Sequence, residues 1–165
     1  MAFWIGLAIF ILASIVAERL LPPQYKKFMP MLVMVVLTFF GLFRYEIGTD
    51  YDWYIVLFDT VKIDDLYPEP TFLLLVEFLH QFHFSYQVMF IAYELPIMLL
   101  LWSGIRYYTK DTEIQILIVA LYYCLQYFFS LNGIRQGLSM VLIFWGYRYC
   151  LERSLWKYLL VVALA

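Results

Sequence analysis

Apolar runs of bilayer length recur along this chain, and they limit its fold more than any other feature. A spanning helix needs about 20 mostly apolar residues, or roughly 17–25. Residues 1–17 carry no charge, and the apolar pattern continues to Leu21, where Pro22 and Pro23 stop it. The nearest basic residues (Arg19, Lys26, Lys27) follow the run, and no small-residue cleavage site comes after it. It therefore reads as a retained helix and not as a signal peptide. Further spans are expected at 28–43 with Pro30 in the first turn, at 86–105 with the single charge Glu94, and at 114–134 with none. Another is expected at 136–151, where Arg148 lies near the end and can snorkel. The pattern resumes at Trp156 and the sequence stops at Ala165, roughly halfway through a span, as expected for the N-terminal part of a longer protein.

Composition agrees. Of the 165 residues, 65% are hydrophobic and 15% charged, where a soluble domain carries about 25% charged residues. A net charge of −2 leaves no basic surface for a phosphate backbone, so nucleic acid is not an expected partner. Cys124 and Cys150 have neither disulfide-framework nor zinc spacing. The expected fold is all-α, a polytopic transmembrane helix bundle forming a single domain over residues 1–165.

Segment 71–84 is helical in pattern but holds 14 residues and carries Glu77, His80 and His83. That length suits a short re-entrant or interfacial helix. Charge supports this. If 71–84 does not cross, loops 18–27, 106–113 and 148–157 share one side and hold 8 of the 11 basic residues. If it crosses, the asymmetry disappears. The positive-inside rule then puts those loops in the cytoplasm. The N-terminus, the extracytoplasmic loop 44–70 and the 132–135 turn face outside.

The outer loop interleaves seven acids with aromatics, among them Tyr51, Trp53 and Tyr54, which offer ring faces to sugars while carboxylates accept from hydroxyls. The same composition also fits an acidic loop with an interfacial belt. Arg44 follows the second apolar run, and Arg135 sits between two runs beside Asn132 and Gln136. Arginine at membrane depth is costly and marks functional sites, or else snorkels from a helix end. Together the two guanidiniums suit a clamp for phosphate or pyrophosphate, with Gly133 and Gly137 permitting close backbone approach. Glu69, between Pro68 and Pro70, is held on a stiff segment, which suits a positioned base or a plain turn. Glu77-x-x-His80 has a carboxylate-bundle spacing in a single copy, so no metal is expected and the trio reads as a polar helix face. Glu94, beside Pro96, is protonated, paired with an arginine, or part of a proton path; the residues leave these open.

Three short motifs occur in order. Arg44-x-x-x-Gly48-Thr49-Asp50-Tyr51-x-x-Tyr54 is followed by Glu69-Pro70-Thr71-Phe72 and by Asn132-Gly133-Ile134-Arg135-Gln136. Together they resemble the EpsG-type, Wzy-like polysaccharide polymerases. The resemblance covers the whole chain, and family members are about twice its length. It implies a multi-pass enzyme of the bacterial inner membrane that makes capsule, exopolysaccharide or O-antigen. Such an enzyme joins undecaprenyl-pyrophosphate-linked oligosaccharide repeat units at the outer face. It implies no cofactor, because the lipid pyrophosphate is already a good leaving group, and a chain-length regulator as a protein partner. In that reaction Arg135 and Arg44 would stabilise the departing pyrophosphate. Asp50 or Glu69 would act as base, unless Asp50 pairs with Arg44. Tyr51, Trp53, Tyr54, Asn132 and Gln136 would bind substrate. The competing readings are a transporter or flippase for a lipid-linked sugar or organic anion, coupled through Glu94, and an inactive truncated membrane subunit. No internal repeat supports the former.

Overall fold

The structure, a computed structural model, describes residues 2–60 and 70–165. It is 84% helical, with no strand among the described residues. Among the described residues, four helical segments are long and apolar enough to cross a membrane: 3–20, 23–42, 86–108 and 112–132. The elements are α1 (Ala2–Leu20), α2 (Pro23–Lys26), α3 (Phe28–Leu42), α4 (Tyr51–Thr60), α5 (Pro70–Gln81) and α6 (Tyr86–Tyr108). They continue with α7 (Thr112–Tyr122), a π-helical turn (Tyr123–Tyr127), α8 (Phe128–Asn132), α9 (Ile134–Gly146), α10 (Arg148–Leu151) and α11 (Leu155–Leu164).

Spans α1, α3, α6 and α7–α8 pack on a shared core that includes Leu7, Val33, Leu37, Ile97 and Val119. Their outer flanks stay apolar, as at Ile9, Val35, Leu99 and Leu125. A helix that is apolar on all sides has lipid, not water, around it. The π turn projects tyrosines into this core. Tyr127 donates to the Leu37 carbonyl at 2.7 Å and Tyr123 to the Trp4 carbonyl at 2.8 Å. These bonds tie the α7–α8 rod to α3 and α1.

Side-chain bonds group the chain into two ends. At one, Arg19 meets Glu113 at 2.7 Å, Thr112 donates to Glu18 at 2.8 Å, and Tyr107 donates to Glu152 at 2.8 Å. The three loops expected to share the basic side therefore lie together. At the other end, Gln87 reaches the Leu42 carbonyl at 2.6 Å, and residues 44–50 meet the α8–α9 turn.

Two departures from expectation concern the outer loop and the 136–151 run. The loop contains a helix, α4, whose Tyr51, Tyr54 and Phe58 face inward. Their i, i+3, i+7 spacing is the helical period, half hidden in the sequence by the intervening Asp52 and Trp53. The 136–151 run, expected as a span, starts earlier at Ile134 and breaks at Tyr147 into α9, of 13 residues, and α10, of four, so it is not among the four helices long enough to cross.

Segment α5 has 12 residues, about 18 Å at the usual helical rise, and is too short for a ~30 Å hydrocarbon core. It ends in a left-handed His83 (φ 55°), with Phe84 N–H bonded to the Leu79 carbonyl and His83 N–H to the His80 carbonyl. This Schellman cap reverses the chain into α6. Phe72 then lies beside Tyr93, with ring centroids 6.5 Å apart, so α5 runs back along the first turns of α6. A second core joins α4, α5, the start of α6 and Ile134.

Candidate functional site

The site begins where α3 stops. Arg44, two residues beyond Leu42, turns inward and is 2% exposed. A buried guanidinium is costly unless its donors and charge are met. One donor, Nη1, bonds to the Leu131 carbonyl, and Cζ lies 4.0 Å from the Phe90 ring centroid. Burial pulls its pKa down to about 10, against the opposing pull of Glu94, so it stays charged at neutral pH. Glu94 is equally buried, at 2% exposed, and neither carboxylate oxygen has a hydrogen-bond partner. It packs on α3 at Gly41, where a Cβ would come within 2.5 Å of Oε1.

The turn after Arg44 clips onto the α8–α9 corner. Thr49 N–H donates to Asn132 Oδ1 at 2.8 Å. Gly48 permits this in two ways. Its φ of +104° is a conformation that side chains resist, and a Cβ there would stand 2.6 Å from the same Oδ1. The first motif thus touches the α8–α9 corner at two points, Arg44 on Leu131 and, at the start of the third motif, Thr49 on Asn132. A cavity of about 180 Å³, lined in part by Glu46, Gly48 and Asn132, lies beside the contact.

Asp50 lies just ahead of α4, and its carbonyl accepts from Tyr54 N–H at 3.0 Å. Its carboxylate is exposed and accepts from Thr49 Oγ1 at 3.2 Å. Among the described residues it makes no ion pair with Arg44, whose guanidinium faces the core. Tyr51 and Tyr54 are 3% and 5% exposed. Tyr51 stacks on Phe90 with centroids 5.2 Å apart, and Tyr54 touches both Phe90 and Phe72 at 6.3 Å. These two rings support the site from beneath; they do not present faces to a sugar. Their apolar bodies fill the second core, while Trp53, on the opposite side of α4, is 61% exposed.

Arg135 stands in the first turn of α9, half-buried, with Cζ 5.3 Å from the Phe72 ring centroid. Gln136 beside it is exposed and Asn132 half-buried. The contacts Arg44–Phe90–Tyr54–Phe72–Arg135 run through one aromatic layer, with a guanidinium against each outer ring. The two arginines therefore do not form one open clamp: Arg44 is turned into the core and Arg135 sits nearer the rim. Glu69 lies outside the described residues. Of the possible metal trio, Glu77 is exposed, His80 packs edge-on to Phe58 at 4.5 Å, and His83 forms the α5 cap.

Sequence reasoning missed Phe90, the Leu131 carbonyl and the Gly41–Glu94 contact. A phenylalanine in an apolar run and a main-chain carbonyl carry no signal of their own. Glu94 was visible as a charge in a span, but its neighbour was not.

A family model described as the EpsG family matches residues 27–165. No curated protein and no solved structure matches the chain.

Proposed function

The chain belongs to the EpsG family, and on that premise we propose that it acts in polysaccharide polymerisation, joining oligosaccharide units carried on polyprenyl pyrophosphate. One observation carries the reading. The Arg44–Asp50 turn is clipped onto the Leu131–Asn132 corner, which puts Asp50, Trp53, Asn132 and Arg135 around one end of the bundle.

In the proposed step, a hydroxyl of the acceptor unit attacks the anomeric carbon of the donor sugar. The bond from that carbon to the pyrophosphate oxygen breaks. The lipid pyrophosphate leaves with the electron pair, and the hydroxyl proton passes to a carboxylate. Arg135, held over Phe72, is the cation suited to the developing phosphate charge. Asp50 is an exposed carboxylate at the same end, and Glu69 is the alternative base. Trp53 offers the exposed ring for a sugar face, with Asn132 and Gln136 as polar contacts. Arg44 acts from below by fixing the Leu131 carbonyl, and so the corner that carries Asn132 and Arg135.

Clustering of basic residues at the opposite end supports placing this site at the outer face of the bacterial inner membrane, with the N-terminus outside. The test is Arg135→Lys, which keeps the charge but loses the planar fork. Polymer displayed by length should collapse to single repeat units, with turnover down about 100-fold or more. Wild-type length and yield from a stably inserted variant would overturn the proposal.

A further inference from the structure

The end of the bundle opposite the proposed site contains two adjoining cavities, of about 380 and 290 Å³, which share Trp102, Arg106 and Lys110. Lys27, from the α2–α3 junction, lines one and Arg148, from α10, lines the other. Four cations from three parts of the fold thus border the two cavities, and no carboxylate lines either. The acids of this end have partners of their own: Glu113 pairs with Arg19, Glu18 accepts from Thr112 in the wall of the second cavity, Glu152 accepts from Tyr107 in the wall of the first, and Asp111 caps α7. Arg148 is held in place, with Cζ 3.7 Å from the Trp145 ring centroid and Nη2 donating to the Tyr149 hydroxyl at 2.8 Å. Its Nε has no hydrogen-bond partner.

A third cavity, of about 390 Å³, lies next to these along the α3–α6 seam. It shares Trp102 and Leu99 with the first and Trp102 and Met31 with the second. Its wall is apolar as far as Phe39 and Leu42 near the other end of α3. Val35, Phe39 and Leu99 along it are exposed, on the face turned to lipid.

A cationic pocket beside a long apolar groove matches a molecule with an anionic head and a hydrocarbon tail. We propose that this is a binding site for one anionic phospholipid, with the phosphodiester among Arg106, Lys110, Arg148 and Lys27 and an acyl chain along the α3–α6 groove. The four cations select the anionic head over a zwitterionic one. The contiguous groove selects a lipid over free phosphate. Trp102 lines all three cavities, where the cationic and apolar parts of the wall meet. The inference is independent of the polymerase reading, because it concerns the other end of the bundle.

The test uses the purified chain in neutral detergent. Its thermal unfolding midpoint is followed against added phosphatidylglycerol, phosphatidylcholine or inorganic phosphate, and retained lipids are counted by native mass spectrometry. Phosphatidylglycerol should raise the midpoint in a saturable manner with one lipid retained, and the other two should not. Arg106→Gln with Arg148→Gln should weaken the lipid roughly twentyfold or more, taking about fivefold for each cation near an anionic group. Val35→Trp, which fills the groove without changing charge, should weaken it too. Arg153→Gln with Lys157→Gln, which removes two cations of the same end outside the cavities, should leave it unchanged. Equal stabilisation by inorganic phosphate, equal stabilisation by phosphatidylcholine, or an equal loss in the Arg153/Lys157 variant would each overturn the proposal.

Discussion

Gly48 makes the strongest single-residue claim. Alanine there must hold a left-handed backbone and push on Asn132, a strain of about 1–3 kcal/mol. Gly48→Ala should lower the unfolding midpoint and release the Thr49–Asn132 bond, while Gly6→Ala, where a Cβ meets nothing within 4 Å, should change little. Arg44 and Glu94 form the second claim. Each is a buried ionisable group with unsatisfied polar atoms, and each lies in the field of the other. Removing one leaves the other buried with less compensation, which costs about 1–3 kcal/mol. Glu94→Gln and Arg44→Met should therefore each destabilise the chain. The double variant should be less destabilised than their sum by roughly 0.5–3 kcal/mol. Strict additivity in denaturation would show that the two charges do not interact. Both arginines were conspicuous in the sequence as charges beside apolar runs. Their orientation was not, because inward and outward guanidiniums share the same sequence context.

At the scale of elements, four of the five expected spans were legible because burial in lipid demands unbroken apolar length; the fifth, 136–151, is broken at Tyr147. The sequence expectation of 86–105 and the observed α6 differ by one turn at the basic end. The short helix before it was legible for the complementary reason: its apolar run is too short to cross. Helix α4 was harder to read, since its inward tyrosines also suited a sugar-binding loop. The π turn left no mark, because a single extra residue in a turn changes neither composition nor hydropathy. The placement of α5 gives a direct expectation. Ser85, in the turn between α5 and α6, lies at the same end as Thr49, so a cysteine at either position should react with a thiol reagent from the same side of the membrane. Labelling of the two from opposite sides would mean that α5 crosses.

On the scale of the molecule, three loops far apart in sequence bring the basic residues to one end, and two motifs 83 residues apart meet at the other. Charge asymmetry and motif order were both readable in advance. The meeting itself was not, since it rests on a glycine, a main-chain N–H and a carbonyl. The most direct measurement replaces Cys124 and Cys150 and then places single cysteines at Thr49, Asn132 and Lys110. Each is treated in intact cells with a membrane-impermeant thiol reagent. If the Arg44–Asp50 turn and the Asn132–Arg135 corner make one site at the outer face, Thr49→Cys and Asn132→Cys label in intact cells. Lys110→Cys then labels only after permeabilisation. Protection of Asn132→Cys until permeabilisation, with Thr49→Cys labelled from outside, would separate the two motifs across the membrane and contradict the site.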